Sequence, residues 1–179
     1  MKRNIELKAR VADLAAAHGV ARSLAAQLHA VERQRDTYFC VAHGRLKLRE
    51  RWPFDSNGAL GESCAGQLIW YRRPNAPQVR ASDYSLIVLE NGTEMRDLLA
   101  GSLGVRAEVE KVRTVYLYDN VRIHLDEVAR LGAFLEFEAI VDSTCDEPAA
   151  REKLDKLIAV FQSVLGAVID GSYSDLLRC

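Results

Sequence analysis

EVEKVRTVYLYDNVRIHLDEV, residues 108–128, reads as two alternating strands around a tight Asp119-Asn120 turn. In a two-residue hairpin loop the flanking residues pair, so Tyr118 and Val121 share a face and their neighbours sort by parity. Lys111, Arg113, Arg122, His124 and Asp126 then project together. Such a face is either solvated or forms a site for a multiply charged anion.

The chain has 179 residues, 49% of them hydrophobic and 27% charged, enough for one ordinary domain with a substantial core, expected to span 1–179. A net charge of -1 gives no global reason to expect nucleic acid or an anionic membrane as partner. Cys40, Cys64, Cys145 and Cys179 lie far apart, without a CxxC or zinc spacing, which predicts reduced thiols rather than disulfides or a structural metal. The start, MKRNIELKAR, is charged where a signal peptide is apolar, so the expected location is cytoplasmic.

Outward from the hairpin, residues 4–11 alternate, with Asn4, Glu6, Lys8 and Arg10 opposite Ile5, Leu7, Ala9 and Val11. Helical spacing of Leu14, Ala17, Ala21, Leu24 and Ala25 predicts a helix over roughly 12–26, followed by a strand from Val31 to Phe39. GRLKLRER at 44–51 sets Arg45, Lys47 and Arg49 on one face. The stretch from Trp52 to Gly66 reads as a long loop, a lid or an insertion, before the strand QLIWYRR. DYSLIVLE is a further strand, Thr93 is a candidate cap for a short helix, and FLEFEAIV places Phe134, Glu136 and Glu138 together. Asp146 or Glu147 before Pro148 opens a last helix with Leu154, Leu157, Ile158, Phe161 and Leu165 on one stripe and Gly166 as its expected stop.

Arg73 from YRR adds to a set in which lysine and arginine outnumber carboxylates. A solvated sheet face has little reason to gather like charges on neighbouring strands, because cross-strand pairs of one sign repel. A curled or closed antiparallel sheet, apolar outward under helices and charged inward, accommodates them if an anion sits in the middle. Arginine and lysine in excess suit phosphates. The carboxylates Glu6, Asp126, Glu136 and Glu138 would repel a polyphosphate unless divalent cations, Mg2+ or Mn2+, bridged them.

On NIELK, QRDTYF at 34–39, GRLKLRE at 44–50, LIWYRRP at 68–74, EKVR at 110–113, RIHLDEVARLGAFLEFE at 122–138 and SYSDLL at 172–177, the chain resembles the CYTH superfamily. This superfamily of triphosphate tunnel metalloenzymes includes class IV adenylyl cyclases and thiamine triphosphatases. The resemblance implies an α+β fold, an eight-stranded antiparallel tunnel with helices outside. It implies phosphate binding by Lys8, Arg10, Arg45, Lys47, Arg49, Arg73, Lys111, Arg113 and Arg122, metal binding by Glu6, Asp126, Glu136 and Glu138, and catalytic roles for Glu6, Lys8 and Asp126. Tyr173 would close the tunnel mouth. One departure stands out: Asn4 replaces the first glutamate of the family's ExExK signature, keeping an oxygen donor but no charge or basicity.

The branch it most resembles implies a cyclase turning ATP into cyclic AMP and pyrophosphate. Hydrolysis of tripolyphosphate, a nucleotide or thiamine triphosphate is the alternative, and a non-catalytic polyphosphate binder the third. The expected partner is that small-molecule triphosphate, with neither nucleic acid nor membrane, and a homodimer is left open. His124 is expected to fill space or hydrogen-bond rather than transfer a proton. Trp52 and Trp70 are candidates to stack a base.

Overall fold

Eight antiparallel strands close on themselves in the computed structural model, which describes residues 1–62 and 64–177, with the side chains of Cys64 and Ala65 left aside. In chain order these strands are β1 (Lys2–Val11), β2 (Gln27–Phe39), β3 (Arg45–Pro53), β4 (Cys64–Arg72), β5 (Arg80–Leu89), β6 (Val105–Tyr118), β7 (Val121–Val128) and β8 (Gly132–Val141). Neighbours run β5-β4-β3-β2-β6-β7-β8-β1, and Lys2–Glu6 of β1 pair with Arg80–Tyr84 of β5 to complete the barrel. Beyond that seam β1 turns its other end to β9 (Leu165–Val168). Helices α1 (Leu14–Ser23), α2 (Gly92–Leu103), α3 (Glu147–Val160) and the single turn α4 (Tyr173–Leu176) complete the chain.

The deciding hairpin forms in the predicted register. Tyr118 pairs with Val121, and Asp119 takes the left-handed conformation (φ 54°) that a tight turn between twisted strands needs. Ile5, Leu7, Ile123, Leu125, Leu135 and Phe137 therefore point out of the barrel, under Ala17 and Ala21 of α1 and Leu154 and Leu157 of α3. Phe137 meets Phe161 edge to face at 5.2 Å. A second apolar group, Tyr38, Ile69, Tyr71, Val109, Val128, Phe134 and Tyr173, faces inward and plugs one end of the barrel.

Several sequence expectations are corrected at element ends. Helix α1 is shorter than 12–26: Asp13 caps it by accepting from the Ala16 amide, and Ala25 (φ 55°) lies outside it. Asn91, not Thr93, caps α2, while the Thr93 hydroxyl donates to Glu50 at 3.3 Å. Helix α3 starts at its Asp146 cap but ends at Val160, and Gly166 lies in β9 rather than stopping it. There a Cβ would stand 3.0 Å from the Arg10 carbonyl oxygen, so glycine permits the close approach to β1. The 52–66 stretch continues β3 to Pro53 and folds back through a Phe54–Leu60 bridge, with Asp55 accepting from the Asn57 and Ala59 amides. Cys40 and Cys145 are free thiols, and Cys179 lies outside the described residues. Among the described residues no helix is long and apolar enough to cross a membrane.

Phe137→Ala empties a fully buried position and is expected to cost about 3–5 kcal/mol, read from the urea unfolding midpoint. The control Leu98→Ala, on the exposed face of α2, is expected to stay within about 0.5 kcal/mol.

Candidate active site

Strand alternation inside a closed barrel leaves every second side chain with nowhere to point but inward. The result is a hollow of about 400 Å³, lined among the described residues by eight lysine and arginine side chains and five carboxylates. Lys8, Lys47, Arg49, Arg73, Lys111, Arg113, Arg122, Glu6, Glu136 and Glu138, all singled out in the sequence, converge there. Arg10, Arg45 and Asp126 do not line it. Arg10 is exposed and donates to the Leu131 carbonyl at 2.9 Å, and Arg45 is held at the plugged end by Asp175 (2.8 Å) and Asn75 (2.9 Å). Asp126 points inward but is covered at the plug, gripped at both oxygens by Arg113 (2.7 and 2.6 Å) and receiving the Tyr173 hydroxyl at 2.7 Å.

The remaining carboxylates are also paired. Glu6 accepts from Arg73 and from Arg80 (3.2 Å). Glu136 meets Lys8 at 3.0 Å, Arg113 at 2.9 Å and His124 Nδ1 at 3.4 Å, while Glu138 meets Arg122 at 3.4 Å. Three of these pairings cross between adjacent strands, with Lys8 opposite Glu136, Arg122 opposite Glu138 and Arg113 opposite Asp126, while Arg113 also reaches past β7 to Glu136 and Arg73 comes from just beyond β4.

Sequence reasoning missed the inward face of β2. Glu32, Gln34, Asp36 and Tyr38 alternate into the hollow, a period visible in the sequence, from which a strand over 31–39 is expected but its inward face is not. Asp36 is the most tightly held of them, accepting from Lys47 (2.9 Å), Lys111 (2.9 Å) and twice from Arg49 (2.7 and 2.8 Å). Arg80 of β5, buried against Glu6, was missed as well. Trp52 and Trp70 do not line the hollow: Trp52 lies beneath Arg33 and Arg35, and Trp70 donates to the His43 carbonyl.

Burial raises the Asp126 carboxyl, but Arg113 outweighs it and holds the group at about 2. Burial lowers Lys111 to about 7, with Asp36 opposing the fall and Arg49 and Arg113 adding to it. Lys47 falls to about 8 through burial and the neighbouring Arg49. Burial and Arg113 also keep His124 below its ordinary range, so its ring is neutral at pH 7.

One group of donors suits a hard cation. Ligand atoms of His124, Glu136 and Glu138 lie within 4.8 Å of one another. Beside them the Asn4 amide nitrogen stands 3.5 Å from Glu138, and its Oδ1 is buried without a hydrogen-bond partner. An orphaned buried oxygen on a residue that touches Glu138, beside the His124, Glu136 and Glu138 group, fits a site for a divalent cation. Glu6 and Asp126 are engaged by arginines and stand outside this group.

An eight-stranded antiparallel tunnel with an ion-lined interior defines a triphosphate-tunnel architecture. The CYTH domain family matches residues 2–163, and the chain belongs to that family. Among solved structures, the PH1012 protein of Pyrococcus horikoshii OT3 superposes with a TM-score of 0.77 at 19% identity, over 97% of this chain and 98% of that one. A Vibrio parahaemolyticus protein provisionally named an adenylate cyclase gives 0.73 at 19% identity, over 98% of both chains. HpAC1 of Hippeastrum, provisionally an adenylyl cyclase and described as having a dominant triphosphatase activity, gives 0.61 at 17% identity, over 98% of this chain and 95% of that one. A search among curated proteins finds no significant match.

Tyr173→Phe removes a hydrogen bond to a buried carboxylate and is expected to cost about 1–3 kcal/mol at pH 7. The folded-state value of Asp126, about 2, lies below its unfolded value, so the associated stability is present above about pH 4 and lost as pH falls through 2. The wild-type advantage over Tyr173→Phe should therefore shrink between pH 4 and 2, measured by denaturant titration at each pH.

Proposed function

We propose that this chain is a metal-dependent enzyme that holds a triphosphate in its tunnel and acts as an adenylyl cyclase, turning ATP into cyclic AMP and pyrophosphate. The observation that carries the reading is the gradient of polarity along the hollow. From the plugged end the inward positions pass through the cationic stretch of Lys8, Lys47, Arg49, Lys111 and Arg113, and along β6 then reach Val115 and Leu117, which stand opposite His124 and Arg122. A triphosphate gripped in the cationic stretch leaves its organic end against those apolar side chains, an arrangement suited to a nucleotide more than to bare tripolyphosphate.

Lysine and arginine on three walls bind and orient the phosphates and stabilise the leaving pyrophosphate by charge already in place. Magnesium or manganese bound by Glu136, Glu138, His124 and the Asn4 oxygen would supply charge neutralisation at the phosphates. Attack on the α-phosphorus by the ribose 3′-hydroxyl is favoured over attack by water for two reasons. Asn4 lacks the basicity of the carboxylate it replaces, and Glu6 is occupied by two arginines.

Triphosphate hydrolysis is the second reading. It is favoured by the neutral His124 ring 3.4 Å from Glu136, which can accept a proton from water, and by the activity described for the Hippeastrum protein.

The test is incubation of the pure protein with ATP and, separately, tripolyphosphate, each with magnesium or manganese, and resolution of the products. Cyclic AMP and pyrophosphate from ATP are expected; orthophosphate as the only product would replace the cyclase with a hydrolase. Glu136→Gln is expected to reduce turnover on the order of a hundredfold. Without any nucleotide it should also weaken manganese binding, followed by calorimetry.

A further inference from the structure

The Asp36 carboxylate is fully buried, and four N–H bonds from three residues converge on it. Lys47 and Arg49 come from β3 and Lys111 from β6, the two strands that flank β2. Three of these bonds fall on Oδ2 and one on Oδ1, so the carboxylate is committed to the three cations and is buried away from a metal or a substrate proton. Three cations on one carboxylate also leave an excess of positive charge on that wall. A purely structural ion pair would be neutral, and a buried pair contributes little to stability compared with apolar packing.

We propose that Asp36 is a positioning residue: its buried carboxylate gathers Lys47, Arg49 and Lys111 into one preformed cradle for a phosphate group of the substrate. The inference rests on the reading of the hollow as a triphosphate site and assigns that site an internal anion as its organiser. Without Asp36 the three cations repel, and long flexible side chains that now share an anchor each find their own direction. The other charged and titratable groups facing the trio are Arg51 of β3, Arg113 of β6, Tyr38 and Glu32 of β2, Tyr71 of β4, Asp126 of β7 and Tyr173 of α4. Arg51 and Arg113 add repulsion, so Asp36 is the anion that holds the trio together.

The test turns on a sign. Removing a negative charge from an anion site strengthens anion binding by Coulomb's law alone. Positioning requires the opposite. Asp36→Asn is expected to raise KM roughly ten- to a hundredfold with kcat changed less than about threefold, and to weaken calorimetric binding of tripolyphosphate to match. Wild-type binding should weaken as pH rises past about 7 to 8, where Lys111 and Lys47 lose their protons, and in the variant that loss should begin at lower pH.

Equal or tighter binding by folded Asp36→Asn with an unmoved pH midpoint overturns this inference alone. Failure of the wild type to bind tripolyphosphate or ATP overturns it together with the reading of the hollow. Where Asp36→Asn does not fold, Lys47→Met is compared with the double variant Asp36→Asn/Lys47→Met. Weaker binding by the more positive double variant supports positioning, and equal or tighter binding overturns it.

Discussion

Charge pairing across the interior of a barrel that cannot turn those charges outward is the constraint on which the rest of this protein depends. Arg113 clasping Asp126 and Glu136, Lys8 against Glu136, and Arg80 on Glu6 tie one strand to another, and Arg73 ties the segment after β4 to Glu6 of β1. Burying so many ions is costly unless each finds a partner or water. The pairs meet that requirement only in part, because cations remain in excess along the lining. The residual charge is what makes the hollow a site for a polyanion rather than a polar core.

The outward faces of the same strands do different work. Ile5, Leu7, Ile123, Leu125, Leu135 and Phe137 pack under α1 and α3, and this apolar layer supplies the burial that an ion-lined interior cannot. The plug of Tyr38, Tyr71, Phe134 and Tyr173 gives the tunnel a direction. One end is closed above a cationic stretch, and the other carries Val115 and Leu117 opposite His124 and Arg122.

Much of this was legible because a strand has a period of two. Lys111, Arg113, Arg122 and His124 could be placed on one face from the Asp119-Asn120 turn alone, and Glu136 with Glu138 from FLEFEAIV. Arg10 shares its parity with Glu6 and Lys8, yet it lies past the plug and reaches the Leu131 carbonyl instead. Parity assigns a face; it does not say where along the barrel the hollow ends. Asp36 was passed over for the converse reason, since one carboxylate within QRDTYF carries no local sign that three cations from two other strands will close on it. Gly166 was read as a helix stop because a glycine after an apolar stripe is a common terminator, while its actual cause, contact with the backbone of β1, is not local.

By itself the sequence determined the barrel strands, the inner and outer faces of most of them and the excess of inward cations, because these follow from periodicity and residue type, while the face of β2 and the strand β9 did not show. The tertiary structure alone decided which carboxylates are locked by arginine, which stand beside an orphaned oxygen, and which end of the tunnel is sealed. Those outcomes depend on distances between segments far apart in the chain, and barrel closure sets such distances through register and not through any local pattern.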